Sequence, residues 1–259
     1  MENNDLNENP ESTEAKLPEP TFVTSPVKKK SAKDKDELVG GFAFFLSLGA
    51  LLPSGALLLG LSLFNVRPIQ MQATGIFAAA WFVGILLGHS MIRGHLSVLL
   101  HEFKHSLISN LVGNKRKGMQ INENSGHFEY SYTKKTAHFN AFISLAPYIV
   151  PIFTFIGMLA SLGLFRDDHA MACLLVGLCY GVDTILNIRD ISPIQTDINQ
   201  IRGGYGIGLL YIFAWNLITA ALLAAWVFQG GAGILMLLEQ VTAALMHIYL
   251  LISSSRTTS

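Results

Sequence analysis

From about residue 38 onward, long apolar runs alternate with short polar stretches. Six runs stand out, at roughly 38–66, 73–112, 139–165, 169–189, 205–228 and 231–253. Each is long enough for the ~20 helical residues that cross a hydrocarbon core of ~30 Å. The second run has length for one crossing or two, and His89, Ser90, Arg93 and Gly94 mark where it would break. Pro147 and Pro151 predict a kink in the third run. Broken backbone at membrane depth is tolerated where it faces protein or a wet cavity. Between the second and third runs the period changes. Gln120-Ile121-Asn122 and His127-Phe128-Glu129-Tyr130-Ser131-Tyr132 alternate polar with apolar or aromatic residues around Glu123-Asn124-Ser125-Gly126. That alternation predicts a small β-hairpin. The predicted fold class is an all-α polytopic membrane protein with about six transmembrane helices and one small cytoplasmic hairpin.

Composition agrees with this pattern. Of 259 residues, 51% are hydrophobic and only 14% charged, against ~25% charged in soluble domains. Much of that charge sits in residues 1–37, a polar stretch rich in Asn, Glu, Pro, Ser and Lys. Such a segment buries too little apolar surface to offset ordering entropy, so it is expected to be a disordered cytoplasmic arm and not a secretory signal. Residues 38–253 would form the transmembrane domain, and 254–259 a cytoplasmic tail. A net charge of zero gives no reason to expect a nucleic-acid partner. Cys173 and Cys179 lie within apolar sequence and read as small buried hydrophobes.

Lysine and arginine placement sets an orientation. Lys28, Lys29, Lys30, Lys33 and Lys35 precede the first run, and Lys115, Arg116, Lys117, Lys134 and Lys135 follow the second. Both groups lie on the cytoplasmic side if the first two runs together cross an even number of times. Residues 73–112 are then one net crossing, a long or kinked helix. The loop at Arg166-Asp167-Asp168 is outside, and residues 190–204 and the C-terminal tail are inside.

Candidate chemistry centres on His101-Glu102-Phe103-Lys104-His105. Histidines four apart on a helix share one face and can share one Zn²⁺. The glutamate after the first of them can take a proton from a zinc-activated water without ligating the metal. Apolar flanks, Val98-Leu99-Leu100 and Leu107-Ile108, make this cluster of ionisable groups costly unless it has a use. A catalytic zinc needs a third protein ligand. The predicted topology returns the fourth run to the same side at about residue 189, so Asp190 or Asp197 is in reach. Arg189 is a ready partner for Asp190, which favours Asp197. Asp183, deeper in the fourth run, is a third candidate.

With these features the chain resembles the site-2 protease family of intramembrane zinc metalloproteases. The resemblance rests on the His-Glu-x-x-His helix, the hairpin, the proline-broken helix and a late acid. Asn187, Pro193 and Asp197 echo the family's second motif, although Asp197 is followed by Ile198-Asn199 and not by glycine. It implies His101, His105 and Asp197 as zinc ligands, Glu102 as general base and Asn187 as a donor to the oxyanion. It also implies a membrane-protein substrate and a multi-pass location, expected to be a bacterial cytoplasmic membrane with the active site facing the cytoplasm. The stretch 127–132 would offer a strand edge to the substrate.

A rival reading is a transporter or channel, with His89, Asp183, Glu239 and His247 lining a polar path for a metal ion or proton. Otherwise Glu239 and His247 are expected to pair within the bundle with groups such as His89 or Asp183.

Overall fold

The computed structural model describes residues 42–64, 70–122 and 125–257. The arm 1–37 with its lysine cluster, and the hairpin tip at Glu123-Asn124, lie outside the described residues. The elements run in the order α1 (Phe42–Phe64), α2 (Gln70–Met91), α3 (His95–Leu111), β1 (Lys115–Ile121), β2 (Gly126–Ser131), a 3-10 turn (Ala137–Phe139), α4 (Asn140–Ile149), α5 (Ile152–Leu164), α6 (His169–Arg189), α7 (Thr196–Asn199) and α8 (Gly204–Thr257).

Four helical stretches are long and apolar enough to cross a membrane: Ser47–Phe64, Met71–Met91, His169–Arg189 and Gly204–His247. A fifth is counted if Ala137–Ile149 and Ile152–Leu164, bent by 70° at the break between them, form one span. The expected 73–112 helix is two helices. The chain leaves α2 at Ile92-Arg93-Gly94, where Gly94 has φ 54°, and α3 starts anew. This is the break marked by the polar patch. Helix α8 has 54 residues. At ~1.5 Å per residue it would far exceed a ~30 Å core. It folds back at Gly230, whose φ of 61° and ψ of −145° lie in territory essentially reserved for glycine. The sixth apolar run is its second limb.

Close backbone contact fixes the directions of the helices. Gly177 abuts Phe77 and Ala80, Gly181 abuts Trp81 and Ile85, and Gly88 abuts Val182 and Ile185. Helices α2 and α6 therefore run parallel. A Cβ on Gly181 would sit 2.1 Å from the Trp81 carbonyl oxygen. Small residues at such contacts let apolar helices meet where lipid supplies no hydrophobic drive. Trp81 Nε1 donates to Thr184 Oγ1 at 3.0 Å across the same seam. Helix α1 parallels the first limb of α8, with Gly55 against Ala214 and Leu217 and Ser62 Oγ donating to the Ala221 carbonyl. Leu48, Leu145, Tyr148, Ile198 and Ile201 share one buried cluster. The start of α1, the end of α4 and the loop after α6 thus lie at one end of the bundle.

Strands β1 and β2 pair antiparallel, from Lys115 opposite Ser131 to Ile121 opposite Gly126, with a bulge between Arg116 and Gly118. The paired region begins five residues before the alternation that predicted it, so Lys115, Arg116 and Lys117 are strand residues.

Candidate metal centre

Helix α3 carries its polarity inward. Its buried positions include Glu102, Lys104, His105, Ser106 and Ser109, while Leu96, Leu99, Phe103 and Leu111 face outward. A soluble amphipathic helix does the reverse. The inversion suits a helix with apolar surroundings outside and chemistry inside.

His101 and His105 both point at Asp197, which lies on the four-residue helix α7. His101 Nε2 is 3.2 Å and His105 Nε2 is 3.3 Å from the same oxygen, Asp197 Oδ2. Ligand atoms of the three residues all lie within 4.8 Å of one another. Two bonds of ~2.0–2.1 Å meeting at a tetrahedral centre place their ligand atoms about 3.3 Å apart. Both remaining ring nitrogens are occupied. His101 Nδ1 donates to Asp190 Oδ2 at 3.2 Å, and His105 Nδ1 donates to the Ile143 carbonyl at 2.7 Å. Metal-binding imidazoles characteristically show this arrangement, one nitrogen inward and the other held from behind. The donor set and its outer partners therefore fit a divalent metal ion.

Electrostatics of these protein groups follow from the same contacts. Burial lowers the His101 pKa, but hydrogen bonds to Asp190 and Asp197 outweigh it and raise the group to about 9. Burial opposes ionisation of Asp197 and Asp190 too, yet the facing imidazoles hold both carboxyls below the usual range. Glu102 differs. It accepts no such bond, and burial pushes its carboxyl up. Its side chain lies against Gly126 at the start of β2, where a Cβ would come within 2.4 Å of Oε1.

An open cavity of about 560 Å³ meets His101, Glu102, His105 and Asp197. Gly126, His127, Phe128 and Tyr130 of β2 form one wall, and Gln195, Thr196 and Gln200 another. Tyr130 is anchored by its hydroxyl to Asn140 Oδ1 at 3.2 Å.

The other candidates fall elsewhere. Asp190 both meets Arg189 Nε, 3.6 Å from Oδ1, and holds His101 from behind. Arg189 also donates to the Ile92 carbonyl and Ser97 Oγ, tying the break before α3 to α6. Asn187 is buried and is not among the cavity's lining residues; its Oδ1 accepts from Lys104 Nζ at 2.6 Å. Asp183 is fully buried, is not part of the His101-His105-Asp197 group, and accepts from Thr154 N and Oγ1 at 2.7 and 2.8 Å. Lys104, unassigned in the sequence reading, lies 3.8 Å from Asp183 and donates to the Pro147 carbonyl at 3.2 Å. A lysine inside an apolar helix face was the available signal.

His89, Glu239 and His247 are exposed on the outside of the bundle while Asp183 is buried within it. Among the described residues they do not assemble a polar path. The expected pairing of Glu239 with bundle groups is likewise corrected: its face of the last limb points away from the other helices.

A bundle of membrane-length helices with a His-His-carboxylate group at one end defines an integral membrane protein able to hold a metal ion. Over residues 73–257 the chain matches the family described as Peptidase M50B-like, and it belongs to that family, a site-2 protease family. Membership implies a membrane-embedded metalloprotease. No curated protein and no solved structure matches the chain.

Proposed function

We propose that the chain is an intramembrane zinc metallopeptidase that hydrolyses peptide bonds of membrane-protein substrates, with its active site on the cytoplasmic side. The observation that carries this reading is the convergence of both imidazole Nε2 atoms on one Asp197 oxygen, with Glu102 adjacent on the same cavity. His101, His105 and Asp197 are the ligands. Zinc held there supplies Lewis acidity, polarising a water and the scissile carbonyl. Asp190 and the Ile143 carbonyl hold the two imidazoles in register. Glu102 accepts the water's proton and returns it to the leaving amine; its upward-pushed pKa brings it nearer the working pH. Asn187 has its amide oxygen held by Lys104 and lies off the cavity, so no oxyanion contact is assigned to it.

Substrate geometry follows from the wall formed by β2. Among the described residues β2 pairs only with β1. An extended peptide added to its other edge would lie along the cavity with its carbonyls presented to the metal position. A helical substrate must unwind to bind this way.

The test uses a fluorescently labelled single-span model helix with a central Gly-Pro break, incubated in detergent with purified protein. Glu102→Gln should keep stoichiometric zinc and lose cleavage by ~10²–10⁴-fold. Equal cleavage by wild type and Glu102→Gln would sink the proposal.

A further inference from the structure

The two prolines of the α4–α5 span stand four residues apart, Pro147 inside α4 and Pro151 at the break. Proline has no N–H, so each leaves the carbonyl four residues earlier without its helical donor. For Pro147 that carbonyl belongs to Ile143, and for Pro151 it belongs to Pro147. Both carbonyls are taken by neighbouring side chains of α3. His105 Nδ1 donates to Ile143 O at 2.7 Å, and Lys104 Nζ donates to Pro147 O at 3.2 Å. All of these groups are buried: Ile143 is 1% exposed, Lys104 2% and His105 7%. In an unbroken helix Ile143 O would be bonded within the helix, and His105 Nδ1 would lack this partner.

We infer that Pro147 is a positioning residue for the metal centre, acting by keeping the Ile143 carbonyl free to orient His105. The inference rests on the metal reading above and extends it to a residue that touches neither metal nor substrate. With Nδ1–H committed to Ile143 O, the neutral ring presents its Nε2 lone pair to the position shared with His101 and Asp197. An N–H restored at residue 147 competes for the same carbonyl. The ring then loses its fixed tautomer and angle. Pro151 is the internal comparison, since it shapes the same break but frees the carbonyl used by Lys104.

Zinc affinity, measured by chelator competition on purified wild type, Pro147→Ala and Pro151→Ala, tests this without reference to cleavage. Loss of an outer hydrogen bond to a metal-bound histidine weakens affinity by ~10–100-fold. Pro147→Ala should show that loss, and Pro151→Ala should stay within about twofold of wild type. Nitrogen-15 spectra of zinc-loaded wild type give a second measurement that needs no variant. They should show His105 protonated at Nδ1 and metal-bound at Nε2. Wild-type affinity in folded Pro147→Ala, an equal loss in Pro151→Ala, or a His105 ring metallated at Nδ1 would each overturn the proposal while leaving the metal site standing. A wild-type protein that takes up no zinc overturns the metal reading itself, and this inference with it.

Discussion

The chain interrupts its apolar helices at two places that invite comparison. The first is Val150-Pro151, between α4 and α5, where Val150 is extended. The second is Gly230, within α8. The first falls within a candidate span, where lipid offers no hydrogen bonds, and the second lies beside His169 at the start of α6; at both a side chain meets a freed carbonyl. Near Gly230 the responding group is His169, whose Nε2 donates to Val227 O at 2.8 Å. At Val150-Pro151 the responding group is Lys104 of the motif helix, with His105 beside it on the carbonyl that Pro147 frees one turn earlier, while Asp183 accepts from the N-terminal turn of α5. A cation therefore meets the C-terminal end of one helix and a carboxylate the N-terminal end of the next, as helix dipoles favour. A break does not by itself make a site. The chemistry of the side chains that satisfy it does.

The largest contrast is in metal content. His105→Ala at the first break should abolish stoichiometric zinc, measured by elemental analysis of purified protein. His169→Ala, which removes the corresponding donor at the second break, should leave zinc at wild-type level. Loss of zinc in both variants would mean that the two breaks are coupled and that the distinction drawn here is false.

Stability separates the two breaks less sharply. Lys104→Met leaves the Asp183 carboxylate buried without its cation, a change that costs about 3–5 kcal/mol. Adding Asp183→Asn should recover part of that loss, because an amide needs no counter-charge. Gly230→Ala imposes a side chain on backbone that only glycine adopts comfortably, and should cost about 1–3 kcal/mol. Denaturation in matched detergent would rank the two. If Gly230→Ala proves the more damaging, the polar network at the first break matters less than its geometry suggests.

Much of the architecture was readable from residue pattern alone. The hairpin, the kink at Pro147 and Pro151 and the pairing of His101 with His105 follow from periodicity and motif spacing; the polar patch at 89–94 marks where 73–112 could break without deciding that it does, and Asp197 is named a ligand through the family resemblance. What escaped depends on three-dimensional partners. Prolines announce freed carbonyls, but the sequence does not say which side chain will reach them, so the roles of Lys104 and of the Ile143 carbonyl were invisible. Adjacency in sequence makes Arg189 a ready partner for Asp190, yet a carboxylate has two oxygens and the second serves His101. Glu239 was expected to pair inside the bundle. Apolar character all around the last limb gave no signal of which face would turn outward.

The finest distinction lies between the two histidines. His105 is held from behind by a neutral carbonyl that Pro147 frees, and His101 by a carboxylate. Against the lowering effect of burial, the Asp190 and Asp197 carboxylates raise the His101 pKa to about 9. Binding zinc must displace the His101 proton. Zinc affinity should therefore rise with pH, by roughly tenfold per unit for a single proton released, and level off above about 9. Asp190→Asn removes one of the two carboxylates that raise His101, so its plateau should begin at a lower pH. At pH 6 the variant then combines a weaker orienting bond with less proton competition, and its affinity should lie closer to wild type than at pH 9. Chelator-competition titrations across this range decide the matter. A pH profile unchanged by Asp190→Asn would mean that the carboxylate orients His101 without setting its charge, which would remove the electrostatic difference between the two ligands.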